Sequence, residues 1–260
     1  MSKIIAVAGI AIKELFRRKD FYVLFILTVL ITLISGSVRF FDDDRIARYL
    51  KEICLMLIWI AALVVAITTA ARQIPSERES RTIFPLLAKP ISRPQVLLGK
   101  FLGCWLAAGM ALFVLYIFFA LVSISRESGF PFANYVQALW MHWQMLGIVI
   151  ALTLLGSIVM STPAANVTLV FIITLGILFI GPFLNTLAMR MKEPVSSIVS
   201  VIYYGLPHLD FYDLRARVIH DWPPVAWLDI VLATLYGWFY TAVFLIGACL
   251  AFRRRPLNQA

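Results

Sequence analysis

Six runs of apolar residues set the limits on what this chain can fold into: Phe21 to Val38, Ile53 to Ala71, Val96 to Ser123, Met145 to Met160, Val167 to Leu187 and Val225 to Ala251. A hydrocarbon core about 30 Å thick takes about 20 residues of helix to cross. Lipid offers no water to the backbone, so each crossing segment has to satisfy its own amides and carbonyls, which a helix does. The runs predict an all-α, polytopic membrane protein with six transmembrane helices, the fourth being the shortest. Between the fourth and fifth, Ser161-Thr162-Pro163-Ala164-Ala165-Asn166 reads as a tight turn in which Pro163 stops one helix and Asn166 caps the next.

Composition agrees with lipid as the solvent, since 62% of residues are hydrophobic and 14% charged, against about half and about a quarter in soluble domains. A net charge of +9 would suggest nucleic acid in a soluble protein. Here Lys and Arg gather at the ends of apolar runs, where membrane orientation and anionic headgroups account for them, so no nucleic-acid partner is expected. Cys54, Cys104 and Cys249 lie inside apolar runs without CxxC spacing, which indicates neither a disulfide framework nor a zinc site. The stretch Ile4 to Ile12 is too short to span and has no small-residue cleavage site after it, so no removable signal peptide is expected.

Sidedness follows from Lys and Arg near the span ends, which resist translocation. With the N-terminus inside, fourteen of the 23 such residues fall on the cytoplasmic side, while Asp42-Asp43-Asp44 dilutes the outer set. Both termini are therefore expected in the cytoplasm, with the protein in the cell (inner) membrane. Ahead of the first span, Ile4, Ile5, Ala8, Ala11, Ile12, Leu15 and Phe16 fall at helical spacing with Lys3, Lys13, Arg17 and Arg18 elsewhere around the wheel. That pattern predicts an N-terminal interfacial helix over 1–20, acting as an anchor or as an elbow into the first span.

Between the second and third spans lies a charged hairpin, 72–95. Ser76 and Glu79 form a capping box that starts a helix, Glu77 and Arg81 pair at i,i+4, and Pro90 ends the run near Ala88. Ile83, Leu86 and Leu87 give this helix an apolar face, and Pro85 kinks or divides it. Ser92 then caps the third span. A short, part-apolar helix held by two membrane helices suits the groove of another protein, or packs beneath its own bundle. Gly99, Gly103, Ala107 and Ala111 form a ladder of small residues on the third span, and Ala62, Ala66 and Ala70 a second on the second span. Such ladders let helices approach closely in lipid.

At these residues the chain resembles the permease subunits of ATP-binding-cassette (ABC) transporters of the type-2 exporter family. That family's cytoplasmic loop carries an acidic residue, Gly-Thr, paired leucines, a Pro-Ile-Ser-Arg-like segment and Gly-Lys. The counterparts here are Glu79, Thr82, Leu86-Leu87, Pro90-Ile91-Ser92-Arg93 and Gly99-Lys100, with Arg81 standing where the family usually has Gly. Beyond the hairpin, Leu206-Pro207-His208-Leu209-Asp210-Phe211 looks like the segment before the last span in the branch tied to multi-copper enzyme maturation. The resemblance implies one permease domain over 1–260 that pairs with a second permease copy, as homodimer or heterodimer, and with two cytoplasmic ABC ATPase subunits. It implies a coupling helix in which Glu77, Glu79, Arg81, Thr82, Ile83, Leu86 and Leu87 meet the ATPase. Around Gly99-Lys100, Pro94 and Phe101 stand where a P-loop needs Gly and Ser or Thr, so ATP has to be handled by the partner.

Other classes have less to stand on. A proton- or sodium-coupled transporter places ionisable groups near the bilayer midplane; in the runs His142 and Asp229 read as lying near span ends, and the interior hydroxyls, such as Thr32, Thr68, Thr153 and Ser157, can bond back to their own helices. A membrane-embedded enzyme would need a nucleophile, paired acids or a metal site, and there is no HExxH or GxSxG. His208, Asp210, Asp213, His220 and Asp221 match no tight metal-site spacing, so no metal or cofactor is expected. An ATP-independent membrane scaffold or membrane-embedded enzyme is the alternative. The extracytoplasmic segment 188–225 should hold a short helix between Pro194 and Gly205, with Trp222 and Trp227 at headgroup level, and is a candidate surface for an accessory protein.

Overall fold

The structure, a computed structural model, describes residues 2–17, 19–37, 43–75, 92–124, 131–160 and 162–254. Its elements are α1 (Ser2–Arg17), α2 (Lys19–Ser37), α3 (Asp43–Arg72), α4 (Arg93–Ile124), α5 (Phe132–Val159), α6 (Pro163–Arg190), α7 (Val195–Gly205), a 3-10 turn (Leu209–Tyr212), α8 (Arg215–Ile219) and α9 (Trp227–Arg254). Among the described residues there is no strand. The chain is an all-α polytopic membrane protein. Among the described residues five helices are long and apolar enough to cross a membrane: Arg48–Arg72, Arg93–Ile124, Phe132–Val159, Pro163–Gly181 and Trp227–Arg254. The first expected run coincides with α2, a helix of 19 residues.

α5 is the central helix. Some 72% of its most apolar window is buried, against 22% for α6 and 28% for α9. Its length corrects the expectation from the sequence. The fourth run seemed the shortest because Asn134, Gln137, His142 and Gln144 dilute the hydropathy before Met145, yet the helix runs 28 residues from Phe132 to Val159. Those four polar side chains are all buried, so they line the bundle interior and do not end the helix. The turn that follows also differs from expectation. Thr162, not Asn166, is the cap of α6: its Oγ1 accepts from the Ala165 amide at 3.3 Å, and Pro163 opens the helix where a missing N–H costs nothing. Asn166 sits inside α6, fully buried, and donates from Nδ2 to the Thr153 carbonyl of α5 at 3.0 Å. Its carboxamide lies against Gly156, where a Cβ would collide with Asn166 Oδ1.

The small-residue ladder on α4 receives α1. A Cβ at Gly99 would lie 2.8 Å from the Val7 Cβ, and one at Gly103 would lie 2.6 Å from the Ala11 Cβ and 2.7 Å from the Ala8 carbonyl. Ala107 and Ala111 continue the row into a small cluster with Val65 of α3 and Ile12 of α1. The register rises together along both helices, so α1 runs beside α4 in the same direction, with Val7, Ala8 and Ala11 buried and Ile5 and Ile10 exposed. With 32 residues α4 is about 48 Å long, more than the hydrocarbon thickness, and α1 lies along its first half. Four interior hydroxyls return to their own helices as expected, Thr32 to the Thr28 carbonyl at 2.8 Å, and Thr68 to Val64, Thr153 to Val149 and Ser157 to Leu154 at 2.7 Å each, whereas the buried Thr174 hydroxyl has no hydrogen-bond partner among the described residues.

Valine at Gly103 should drive α1 off α4, lowering the detergent-unfolding midpoint by an amount equivalent to about 1–3 kcal/mol. Gly9→Val is the control, because nothing lies within 4 Å of a Cβ there; equal stability of the two variants would count against this packing.

Candidate functional site

Residues 76–91, with Glu77, Glu79, Arg81, Thr82, Ile83, Leu86 and Leu87, lie outside the described residues. The residues on either side of them in the chain are described, and they are tightly tied. Lys100, 3% exposed, donates from Nζ to the Gln73 carbonyl at 2.5 Å and to Gln73 Oε1 at 3.4 Å. A cation placed on the last carbonyls of α3 satisfies an acceptor that the helix leaves over and opposes the dipole's negative end. On the other flank Arg93 Nη1 donates to the Phe252 carbonyl at 2.7 Å and the Arg253 carbonyl at 3.4 Å, and its guanidinium lies 5.5 Å from the Phe252 ring centroid. Arg93 thus does for α9 what Lys100 does for α3. Ser92 occupies the expected cap position, with its amide donating to Gln95 Oε1 at 3.1 Å, the return half of a capping box. Gly99 seats α1 one residue before Lys100. The residues Ser92-Arg93 and Gly99-Lys100 therefore join α1, α3, α4 and α9 at one end of the bundle.

Two tryptophans lock α4 to α5, a feature beyond the expectations from the sequence. Trp105 and Trp143 stack at 4.5 Å with 17° between their planes, and each indole donates to the other's carbonyl, Trp105 Nε1 to Trp143 O at 3.1 Å and Trp143 Nε1 to Trp105 O at 3.0 Å. Trp143 lies over Gly109 and Trp105 over Gly147. The signal was a Trp-x-x-x-Gly repeated on both helices, since a residue four positions on shares the tryptophan's face.

The opposite end of the bundle is closed by the segment between α6 and α9. Pro194 and Gly205 bracket α7 as expected, and the Tyr240 hydroxyl donates toward the carbonyls of Tyr204, Gly205 and Leu206 at 3.3–3.5 Å. The Leu206 to Phe211 motif becomes the 3-10 turn, with Leu209 and Tyr212 buried and the His208 amide donating to the Tyr236 hydroxyl at 3.0 Å. From there the chain is stitched to α3 and α5. Lys51 Nζ, on a residue 2% exposed, reaches both Asp221 oxygens at 3.0 and 3.2 Å. Asn134 Nδ2 donates to the Trp222 carbonyl at 2.8 Å, and Gln137 exchanges two hydrogen bonds with the Val225 backbone at 2.8 and 3.0 Å. Arg215 makes a two-pronged pair with Asp213 at 2.7 and 2.8 Å and rests 5.0 Å from the Trp59 ring centroid. Of the five candidate metal donors, Asp213 is engaged by Arg215 and Asp221 by Lys51, and among the described residues no group of three such side chains could hold an ion.

His142 is the other correction. It lies ten residues into α5, about 15 Å from the helix start, well inside the span. It is 4% exposed, meets Tyr116 edge to face at 6.2 Å, and its Nε2 has no hydrogen-bond partner among the described residues. One imidazole with no hydrogen-bonded carboxylate is not a proton relay of the kind that transporters string together.

An all-helical bundle whose α1, α3, α4 and α9 are tied together at one end, with a stitched cap at the other, defines the class, a polytopic membrane protein. Residues 5–257 match the family described as ABC-2 family transporter protein, nearly the whole chain, and the chain belongs to that family. It is accordingly a permease subunit of an ABC transporter, a membrane transport component, and membership implies partnership with an ABC ATPase. No curated protein matches the chain.

Burial raises the pKa of the Asp213 carboxyl, but the hydrogen bonds and charge of Arg215 outweigh this and hold it below its ordinary value of 3.8. A carboxylate with a depressed folded-state pKa contributes stability that is complete above the ordinary value and lost as pH falls through the lowered one. Protease resistance of the 206–226 segment should therefore be constant from about pH 7 to pH 5 and decline below about pH 4. Asp213→Asn should remove that decline, and a variant that keeps it would assign the effect elsewhere.

Proposed function

We propose that this permease is the membrane half of an exporter driven by a separate ATPase. In this reading a second permease copy completes the pathway, two ABC ATPase subunits sit beneath it, and both termini and the hairpin face the cytosol of the cell (inner) membrane. The hairpin is the coupling helix: Glu77, Glu79, Arg81 and Thr82 supply its polar contacts, and Ile83, Leu86 and Leu87 the apolar face that enters a groove of the ATPase.

The observation that supports this most is the hairpin base. A tip that receives a push delivers it only if its base is stiff, and here Lys100 and Arg93 fix the ends of α3 and α9 while Gly99 holds α1. Movement of the tip thereby reaches four helices. The lack of a P-loop around Gly99-Lys100 fits with ATP hydrolysis in the partner. The Trp105–Trp143 lock then ties α4 to the central helix, so the displaced unit includes α5.

Replacing Leu86 and Leu87 with Asp should leave the protein inserted and helical while an ABC ATPase no longer co-purifies and its hydrolysis no longer depends on the permease. Unchanged association would refute the coupling role. Orientation has its own measurement: a cysteine at Glu79 in intact cells should resist a membrane-impermeant thiol reagent and react once the membrane is opened, and labelling from outside would invert the topology.

A further inference from the structure

At the end of the bundle opposite the hairpin, a cleft of about 450 Å³ opens between α8, α5 and the first turns of α9. Its floor is apolar, with Met141 at 2% and Ile230 at 4% exposure, and Leu232, 55% exposed, continues that surface outward along α9. Two opposite charges line it, Arg217 from α8 and Asp229 from the first turn of α9. They do not pair with each other. The Arg217 guanidinium is held by the Pro223 carbonyl at 2.8 Å, and among the described residues the Asp229 carboxylate has neither a hydrogen bond nor an ion pair. Tyr236 closes one side, its hydroxyl already engaged by the His208 amide. Trp222, whose amide donates to the Arg217 carbonyl at 3.1 Å, and Trp227, at the start of α9, are 52% and 62% exposed, and tryptophans of this kind sit at headgroup level.

A cation and an anion held apart over an apolar floor select a ligand that carries both signs and an apolar tail. We infer that the cleft binds a zwitterionic phospholipid with a primary-amine headgroup. Arg217 takes the phosphate, for which a guanidinium offers paired donors. Asp229 takes the ammonium, whose N–H groups give a carboxylate charge-assisted hydrogen bonds that a quaternary amine has none of. The acyl chains leave over Ile230 and Leu232 into the surrounding lipid. The cleft lies at the end of the bundle opposite Gln73 and Arg93, so this binding stands or falls independently of the proposed coupling.

The test is native mass spectrometry of delipidated, detergent-solubilised protein titrated with phosphatidylethanolamine, phosphatidylglycerol or phosphatidylcholine of the same acyl chains, and with glycerophosphoethanolamine, which has none. Phosphatidylethanolamine should bind best. Arg217→Gln and Asp229→Asn should each weaken it about tenfold, and Asp229→Asn should erase its advantage over phosphatidylglycerol. Leu232→Trp, at a lipid-exposed position that tolerates bulk, should block the cleft without disturbing the fold and lower affinity comparably. Equal binding of the three lipids, full affinity in either charge variant, or equally tight binding of the chainless headgroup would overturn the assignment.

Discussion

The bundle depends on how little side chain α4 carries on the faces that meet its neighbours. In lipid the hydrophobic effect does not drive helices together, and association rests on close packing with a contribution from interhelical hydrogen bonds. Gly99 and Gly103 admit α1 to backbone contact, Ala107 and Ala111 admit Val65 of α3, and Gly109 admits the Trp143 ring of α5. Through these small residues one helix therefore packs closely on three others along its length. Bulk at any of these positions would separate a pair and, because α4 is common to all, shift the rest.

Polar contacts decide where helices stop sliding. Interhelical hydrogen bonds inside membranes average only about 0.6 kcal/mol each, so Trp140 to Thr234 at 3.0 Å and Trp238 to Gln144 at 2.9 Å cannot by themselves hold α9 to α5. They fix its register, as the reciprocal pair does for Trp105 and Trp143. Contacts at the bundle ends involve ions and bear more weight, because a buried charge left without its partner is expensive. Lys51 is 2% and Lys100 3% exposed, and each is bound to an acceptor that closes one end.

Much of this was legible in the sequence where one residue's chemistry answers to its own helix. The apolar runs, the ladder from Gly99 to Ala111, the Ser92 cap and the Pro194 to Gly205 helix needed only local rules. What was lost needed a partner from far along the chain. Asn134 and Gln137 look like the end of a hydrophobic run until the carbonyls of Trp222 and Val225, 88 positions on, are placed beside them. Asn166 looks like a cap until the Thr153 carbonyl is found within reach across the turn. His142 reads as lying near a span end for the same reason, since the true start of α5 is hidden by its own polar residues. The candidate coupling residues, 77–87, were legible only as a pattern, while the clamps at Arg93 and Lys100 came from the fold, because a basic residue near an apolar run reads first as an orientation signal.

Those clamps bear on how a push at one end could be felt at the other. A helix held at its end by a single exposed ion pair gains about 0–1 kcal/mol and frays readily. Lys100 instead is buried and bonds to a backbone carbonyl, so moving its ammonium means either dragging the end of α3 or leaving a cation unsatisfied in a dry site. The first is cheaper, and α3 carries at its far end Lys51, whose partner Asp221 belongs to the cap. Two buried lysines on or against one continuous helix thus link the end of α3 beside Gln73 to the cap, and in the proposed coupling α3 is the rigid member between them.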